Sequence, residues 1–221
     1  MCGRFIQAES GRALAERLGL PLPADYSPRY NVAPNQAVLA LRAAADGGDR
    51  EWAWLRWGLV PSWSPEPRSK YSTINARAET VADKPAYRQA FRQRRCLIPA
   101  DGFYEWRKID SRKQPYCIGL VKGEPFAFAG LWERWEREGQ VVESCTLVVT
   151  QANARITEIH DRMPVILDPA DYDAWLDPAL RDSARLLPLL RPYPAERTTL
   201  WPVGLAVNRP GNGGPELMAP V

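Results

Sequence analysis

Short apolar runs of strand length, cut by proline and glycine, set the pattern of this chain. Residues 37–41, 96–99, 115–121, 125–131 and 143–150 are such runs, and each predicts a strand. Residues 51–57 (EWAWLRW) alternate instead, which puts Trp52, Trp54 and Arg56 on one face before Gly58 and Pro61 break the run. Residues 165–167 predict one more short strand, and 203–208 a last one ahead of a glycine-rich turn. Helical spacing occurs in three places. Residues 12–18 bury Leu14 and Leu18, with Ser10 as cap and Gly19 as stop. Residues 86–95 bury Tyr87, Ala90 and Phe91 and line Arg88, Arg92 and Arg95 along an adjoining face. Asp168-Pro169 opens a third helix, a cap followed by proline in the first turn, with Tyr172, Trp175 and Leu176 on its buried side. The segments between strands are too short for crossover helices, so the pairing is mostly antiparallel. The pattern therefore predicts an α+β fold: a curved, barrel-like, mostly antiparallel β core with a few peripheral helices.

Composition refines this picture. The 21 prolines favour short elements joined by stiff loops and argue against a long-helix fold. A chain of 221 residues without a repeat, a low-complexity tract or a linker reads as one domain over 1–221. The net charge is only +3, so any nucleic-acid surface has to be a local cluster of cations. No apolar run approaches a membrane span, and MCGRFIQAES has no signal-peptide pattern, which predicts a soluble cytoplasmic protein with no membrane partner. Cysteines stand at 2, 96, 117 and 145, none in a CxxC pair, beside a single histidine. That excludes the usual zinc sets, so no metal and no cofactor is expected, and Cys96, Cys117 and Cys145 read as small buried thiols. Nothing asks for more than a monomer.

Cys2 is different. Once Met1 is removed it carries an α-amine beside its thiol, with ordinary pKa values of about 8 and about 8.5. Amine and thiol together can close on an aldehyde as a five-membered thiazolidine, or the thiol can act as nucleophile with its own amine as base. By itself, Cys2 also fits a plain first-strand residue. Other residues of catalytic type sit inside apolar segments: Asn75 and Arg77 in STINARAET, Glu105 between Tyr104 and Trp106, and His160 in EIHDRMP. A carboxyl between two aromatics is placed for a raised pKa, and hence for general acid–base work.

MCGRF at the amino terminus, YNVAP at 30–34, INARAET at 74–80, CLIPADGFYEW at 96–106, HDRMPVIL at 160–167 and the tail VNRPGNGGPEL follow one another along nearly the whole chain. In that order they resemble the SRAP family (SOS response-associated peptidase), and the chain is similar to its bacterial members. The resemblance implies an SRAP-like fold, loss of Met1, and binding of single-stranded DNA that contains abasic sites. It implies a thiazolidine DNA–protein crosslink through Cys2, with Asn75, Glu105 and His160 completing the active site. Arg4, Arg77 and Arg162 each stand two residues from one of these positions and, with planar forks that suit phosphate, are candidate DNA ligands. Trp63 and Trp106 are candidates to stack on bases, and Val38-Leu39 to form an apolar wedge at the lesion. Many members carry two adjacent tryptophans where this chain has Trp63-Ser64. Two other functions stay open on sequence: an N-terminal cysteine peptidase or amidase, and a passive single-stranded DNA-binding module. The division of roles between Glu105 and His160 is open as well, as is the route by which Met1 is lost.

Overall fold

A computed structural model describes residues 2–44, 49–69 and 71–221. The described strands, in chain order, are β1 (Phe5–Gln7), β2 (Arg29–Val32), β3 (Ala37–Ala43), β4 (Arg50–Trp57), β5 (Asn75–Arg77), β6 (Arg95–Ala100), β7 (Gly102–Ile109), β8 (Arg112–Leu120), β9 (Phe126–Arg137), β10 (Gln140–Gln151), β11 (Arg162–Pro164), β12 (Ile166–Leu167) and β13 (Thr198–Pro202). Four short helices accompany them: α1 (Ser10–Leu18), α2 (Arg88–Gln93), α3 (Tyr172–Leu176) and α4 (Ser183–Leu186). The architecture is α+β, as the apolar pattern predicts.

Five strands close on themselves. β3 pairs antiparallel with β4 and β6, β6 with β9, and β9 with β10. β10 then meets β4 through Ser144↔Arg56 and Cys145↔Trp57, and this closing pair is parallel. Strand alternation sends Ala53, Leu55 and Trp57 into the ring, beside Val38, Ala40, Ile98, Phe128 and Leu147. Trp52, Trp54 and Arg56 share the opposite, half-buried face, as their spacing predicts. Gly130 allows the wall to close up inside: a Cβ there would lie 2.7 Å from Cys96 Sγ.

The second sheet, in the order β13-β8-β7-β1-β2, is antiparallel throughout and shares the ring's core. Phe5 of β1 packs edge-on against Trp57 at 5.2 Å and Phe128 at 5.7 Å between ring centroids. The helices cover the other side of the ring, over Leu41, Leu97, Leu131 and Val148.

One seam in the ring is not closed by backbone. β3 and β6 pair only at Leu41↔Leu97 and Arg42↔Cys96, and further along Pro99 has no N–H to offer. The buried Gln7 side chain fills that gap. Its Nε2 donates to the carbonyls of Leu39 (2.9 Å) and Pro99 (3.0 Å), and its Oε1 accepts from the Leu39 N–H (3.0 Å).

Several sequence expectations need correcting. The helix expected over 86–95 is only α2, and Arg95 belongs to β6. Arg95 is buried, and its guanidinium donates to the carbonyls of Phe91 (2.8 Å), Trp175 (2.6 Å), Leu180 (3.0 Å) and Asp177. It thereby satisfies the carbonyl ends of α2 and α3, a favourable place for a cation. Burial still pulls its pKa down to about 10. Ser10 is not the cap of α1, because its hydroxyl donates to the Asp101 carboxylate, which also accepts from the N–H groups of Ala8 and Glu9. Gly19 does end that helix, in the left-handed region at φ 65°. The strand expected over 203–208 is displaced: β13 precedes it, and Leu205–Asn208 forms a 3-10 turn. Asp168 caps the third helical segment as expected, accepting from Ala170 N–H. Among the described residues, no helix is long and apolar enough to cross a membrane.

Gln7→Ala would leave three buried backbone groups without partners. With each unpaired group costing about 1–3 kcal/mol, we expect a loss of at least about 3 kcal/mol in urea unfolding. A loss below about 1 kcal/mol would mean that the seam does not depend on Gln7.

Candidate active site

The site forms where β1, β5 and β7 come together around the first residues of the chain. Cys2 is fully buried in the shared core, with Sγ 3.9 Å from the Arg4 carbonyl oxygen. Burial pushes its thiol pKa well up, and the charge of Glu105 adds to the rise. β5 runs parallel to β10, with Leu147 opposite Asn75, and is pinned from both sides. Trp57 Nε1 donates to the Ile74 carbonyl at 2.8 Å and the Tyr87 hydroxyl to the Asn75 carbonyl at 3.3 Å. From this fixed position Asn75 Nδ2 donates to the Cys2 carbonyl at 2.8 Å. Its Oδ1 is buried and has no hydrogen-bond partner among the described residues.

Glu105 stands on β7 opposite Tyr116 and is only 3% exposed. Burial raises its carboxyl pKa, opposed by nearby positive charge that includes His160. The rise is as expected, but it comes from burial of this face of β7, since Tyr104 and Trp106 alternate to the other face. His160 follows a 3-10 turn (Ile156–Glu158) and precedes β11. Its Nδ1 accepts from the Arg162 N–H at 2.9 Å and also lies 2.9 Å from Asp161 Oδ1. Asp161 is exposed, so the backbone bond is the one that fixes the ring. Among the described residues, no group of three or more His, Cys, Asp or Glu side chains comes together as a metal site requires.

A match to the family model described as SOS response associated peptidase (SRAP) covers residues 1–210. The chain is 42% identical to "Abasic site processing protein YoqW" of Bacillus subtilis (strain 168), covering 99% of each chain. It is 32% identical to "Abasic site processing protein YedK" of Escherichia coli (strain K12), covering both in full. A crystal structure of a protein from Bacteroides thetaiotaomicron superposes with a TM-score of 0.85 at 25% identity, again over the whole of both chains. The chain belongs to the SRAP family.

The surroundings of this SRAP site match expectation unevenly. Arg77 is exposed on β5 and has no ion pair among the described residues. Arg162 is half-buried and paired with Glu79. Arg4 is largely committed within the protein: its guanidinium donates to Asn31 Oδ1 (2.8 Å) and the Val207 carbonyl (2.7 Å) and lies over the Trp106 ring. Trp106 is half-buried, with Nε1 donating to Asn208 Oδ1 at 2.7 Å. Trp63 is 66% exposed. Leu39 and Val38 cannot form a wedge, since both are fully buried in β3, with Leu39 held by Gln7.

The departure at Trp63-Ser64 also has a structural basis. Ser64 points inward: its hydroxyl donates to the Arg68 carbonyl and its carbonyl accepts from Trp135 Nε1 at 2.8 Å, so this position anchors the loop. Sequence reasoning missed three residues that assemble the site. Asn31 ties β2 to the tail through the carbonyls of Arg209 and Asn212, Asn208 holds Trp106, and Glu79 holds Arg162. All three lie inside the quoted motifs, which was the available signal. Tyr71, 82% exposed on the same loop as Trp63, had no such signal.

Glu105 yields a stability prediction. Its folded pKa lies above the ordinary 4.5, so ionisation opposes folding as pH rises through the folded value. Glu105→Gln should therefore unfold at higher urea than the wild type at pH 7.5. The gain should shrink as pH falls to 4.5 and vanish below it, where both states of the wild type hold the proton. A gain that grows on acidification would contradict the raised carboxyl.

Proposed function

We propose that the protein captures the ring-opened aldehyde of abasic sites in single-stranded DNA through Cys2, as a thiazolidine that shields the lesion. The observation that carries this reading is the hydrogen bond from Asn75 to the Cys2 carbonyl, beside a buried carboxyl of raised pKa. The names of the relatives as abasic site processing proteins support it.

Capture requires Met1 to be gone, because in the full chain the Cys2 nitrogen is a peptide amide. Either self-cleavage at Cys2, as the family's title of peptidase suggests, or an aminopeptidase supplies that amine. The free amine then adds to the aldehyde carbon, giving a carbinolamine. Loss of its hydroxyl as water, with a proton from the Glu105 acid, leaves a protonated imine and the Glu105 carboxylate. Sulfur next bonds to the same carbon, its proton leaves to the Glu105 carboxylate, and the C=N electron pair returns to nitrogen, which becomes the neutral ring amine. The sum is aminothiol plus aldehyde going to thiazolidine plus water. The raised thiol pKa makes this proton acceptor necessary, since the buried thiol does not ionise unaided. His160 assists the opening of the closed sugar, and Asn75 keeps the Cys2 backbone in line.

DNA approaches over the exposed Arg77 and Trp63. We read residues 1–221 as one SRAP unit, acting as a monomer in the cytoplasm or on the nucleoid.

Intact-mass measurement after incubation with an abasic oligonucleotide should show the protein without Met1, shifted by the oligonucleotide less one water. Cys2→Ala should give no adduct on a denaturing gel, and an undiminished band would remove Cys2 from the mechanism. Arg77→Gln should lower the salt slope of single-strand binding by about 0.7, the value of one phosphate contact. An unchanged slope would place Arg77 off the DNA path.

A further inference from the structure

The β7–β8 hairpin extends past the active site. β7 carries Glu105 and Trp106, then runs on through Arg107 and Lys108 to a turn at Asp110-Ser111, with Asp110 in the left-handed region at φ 52°. β8 returns through Arg112 and Lys113. All four cations are exposed, and none has a carboxylate partner among the described residues. Against them stands only Asp110, so the tip has a net charge of +3, equal to that of the entire chain.

The register concentrates this charge. Lys108 lies directly opposite Lys113, a like-charge cross-strand pair that weakens a hairpin on its own. Arg107 lies opposite Gln114 and Arg112 opposite Ile109, which places both arginines on the face that carries Glu105. Solubility alone does not call for this arrangement. The other long hairpin, β9–β10, mixes its signs and pairs them, Arg134 with Glu136 and Arg137 with Glu138. Four strand residues at roughly 3.3 Å each set the tip about 13 Å beyond Glu105. That is too far for the reacting sugar but within reach of the backbone next to it.

We propose that the β7–β8 hairpin is a phosphate clamp for the single strand flanking the lesion on one side, with Arg107 and Arg112 as its principal ligands. The clamp rests on the reading of this protein as a binder of abasic single-stranded DNA. A polyanion laid along the Glu105 face would neutralise the like-charge tip and hold the strand in register with Cys2.

The test is the Arg107→Gln/Arg112→Gln variant, in which both changes are exposed. Its binding to an undamaged single-stranded thymidine 20-mer is followed by anisotropy across a salt series. The salt slope should fall by about 1.4, two single-strand contacts, which corresponds to roughly 25-fold weaker binding at 0.1 M salt referred to 1 M. On abasic oligonucleotides, the difference from wild type should vanish when one flank, and only that one, is cut back to a single nucleotide. An unchanged slope overturns the clamp. So does an equal fall in Arg181→Gln/Arg185→Gln, which removes the same charge at α4 on the helical side. Adduct formation by the wild type is scored separately. An adduct with a hairpin-independent slope defeats the clamp alone. A hairpin-dependent slope without any adduct defeats the crosslinking reading and leaves the hairpin as a plain single-strand contact.

Discussion

The structure depends on burying the amino-terminal end of the chain. Chain ends usually lie at the surface, where water solvates the terminal groups. Here β1 is an inner strand of the second sheet, paired with β7 and β2, and Phe5 packs into the core shared with the closed ring. Gln7 supplies the hydrogen bonds that Pro99 cannot, so the seam between β3 and β6 closes only when β1 is in place. Register on such a strand is set tightly, because a slip by one residue would move Phe5 out of the core and Gln7 out of the seam. Cys2 lies five residues upstream of that staple and is held again by Asn75. The most mobile part of an ordinary chain is thus fixed as firmly as a core residue, as the proposed nucleophile requires if its orientation is to be settled before the substrate arrives.

That placement sets two buried groups against each other. A thiol and a carboxyl share a pocket that disfavours the ionised form of both. Burial raises both pKa values, and the charge of Glu105 adds to the rise at Cys2. The expense falls on stability, and Arg95 shows how the same fold handles a buried charge with no chemical duty. It surrounds that guanidinium with four carbonyls, whereas burial raises the Glu105 pKa.

Much of this was legible in the sequence, for identifiable reasons. The apolar runs gave the ring strands because each had to bury one face, and Glu105 inside an apolar segment pointed to a raised carboxyl, although it is burial rather than Tyr104 and Trp106 that raises it. The ordered motifs led to Cys2, Asn75, Glu105 and His160, and the structure brings the first two into direct contact. The short strands β1, β5 and β11 were illegible, since three residues carry no period and pair only because longer strands present an edge. Arg95 was misread because its spacing matches α2, while its fate is decided by helix ends that come from residues some 80 positions later in the chain. Leu39 was misread by analogy, since it lies in the middle of β3, which is buried on both faces. Arg4 was read as a phosphate ligand from its place beside Cys2, yet the tail engages most of its donors.

Arg4 shows how work is divided among the cations. An arginine whose donors already hold Asn31 and the Val207 carbonyl can orient β1 and support Trp106 but has little left for a mobile strand. Arg162 is similarly shared with Glu79. Cations close to the reacting carbon are thus enlisted to keep the site rigid, and those without partners stand farther out, on β5 and along the β7–β8 hairpin. This arrangement suits a protein that must hold one sugar in one geometry while tolerating any flanking sequence. Close contacts have to be stiff, whereas backbone contacts made by long, unpaired side chains on an exposed hairpin can follow a strand whose path differs from site to site.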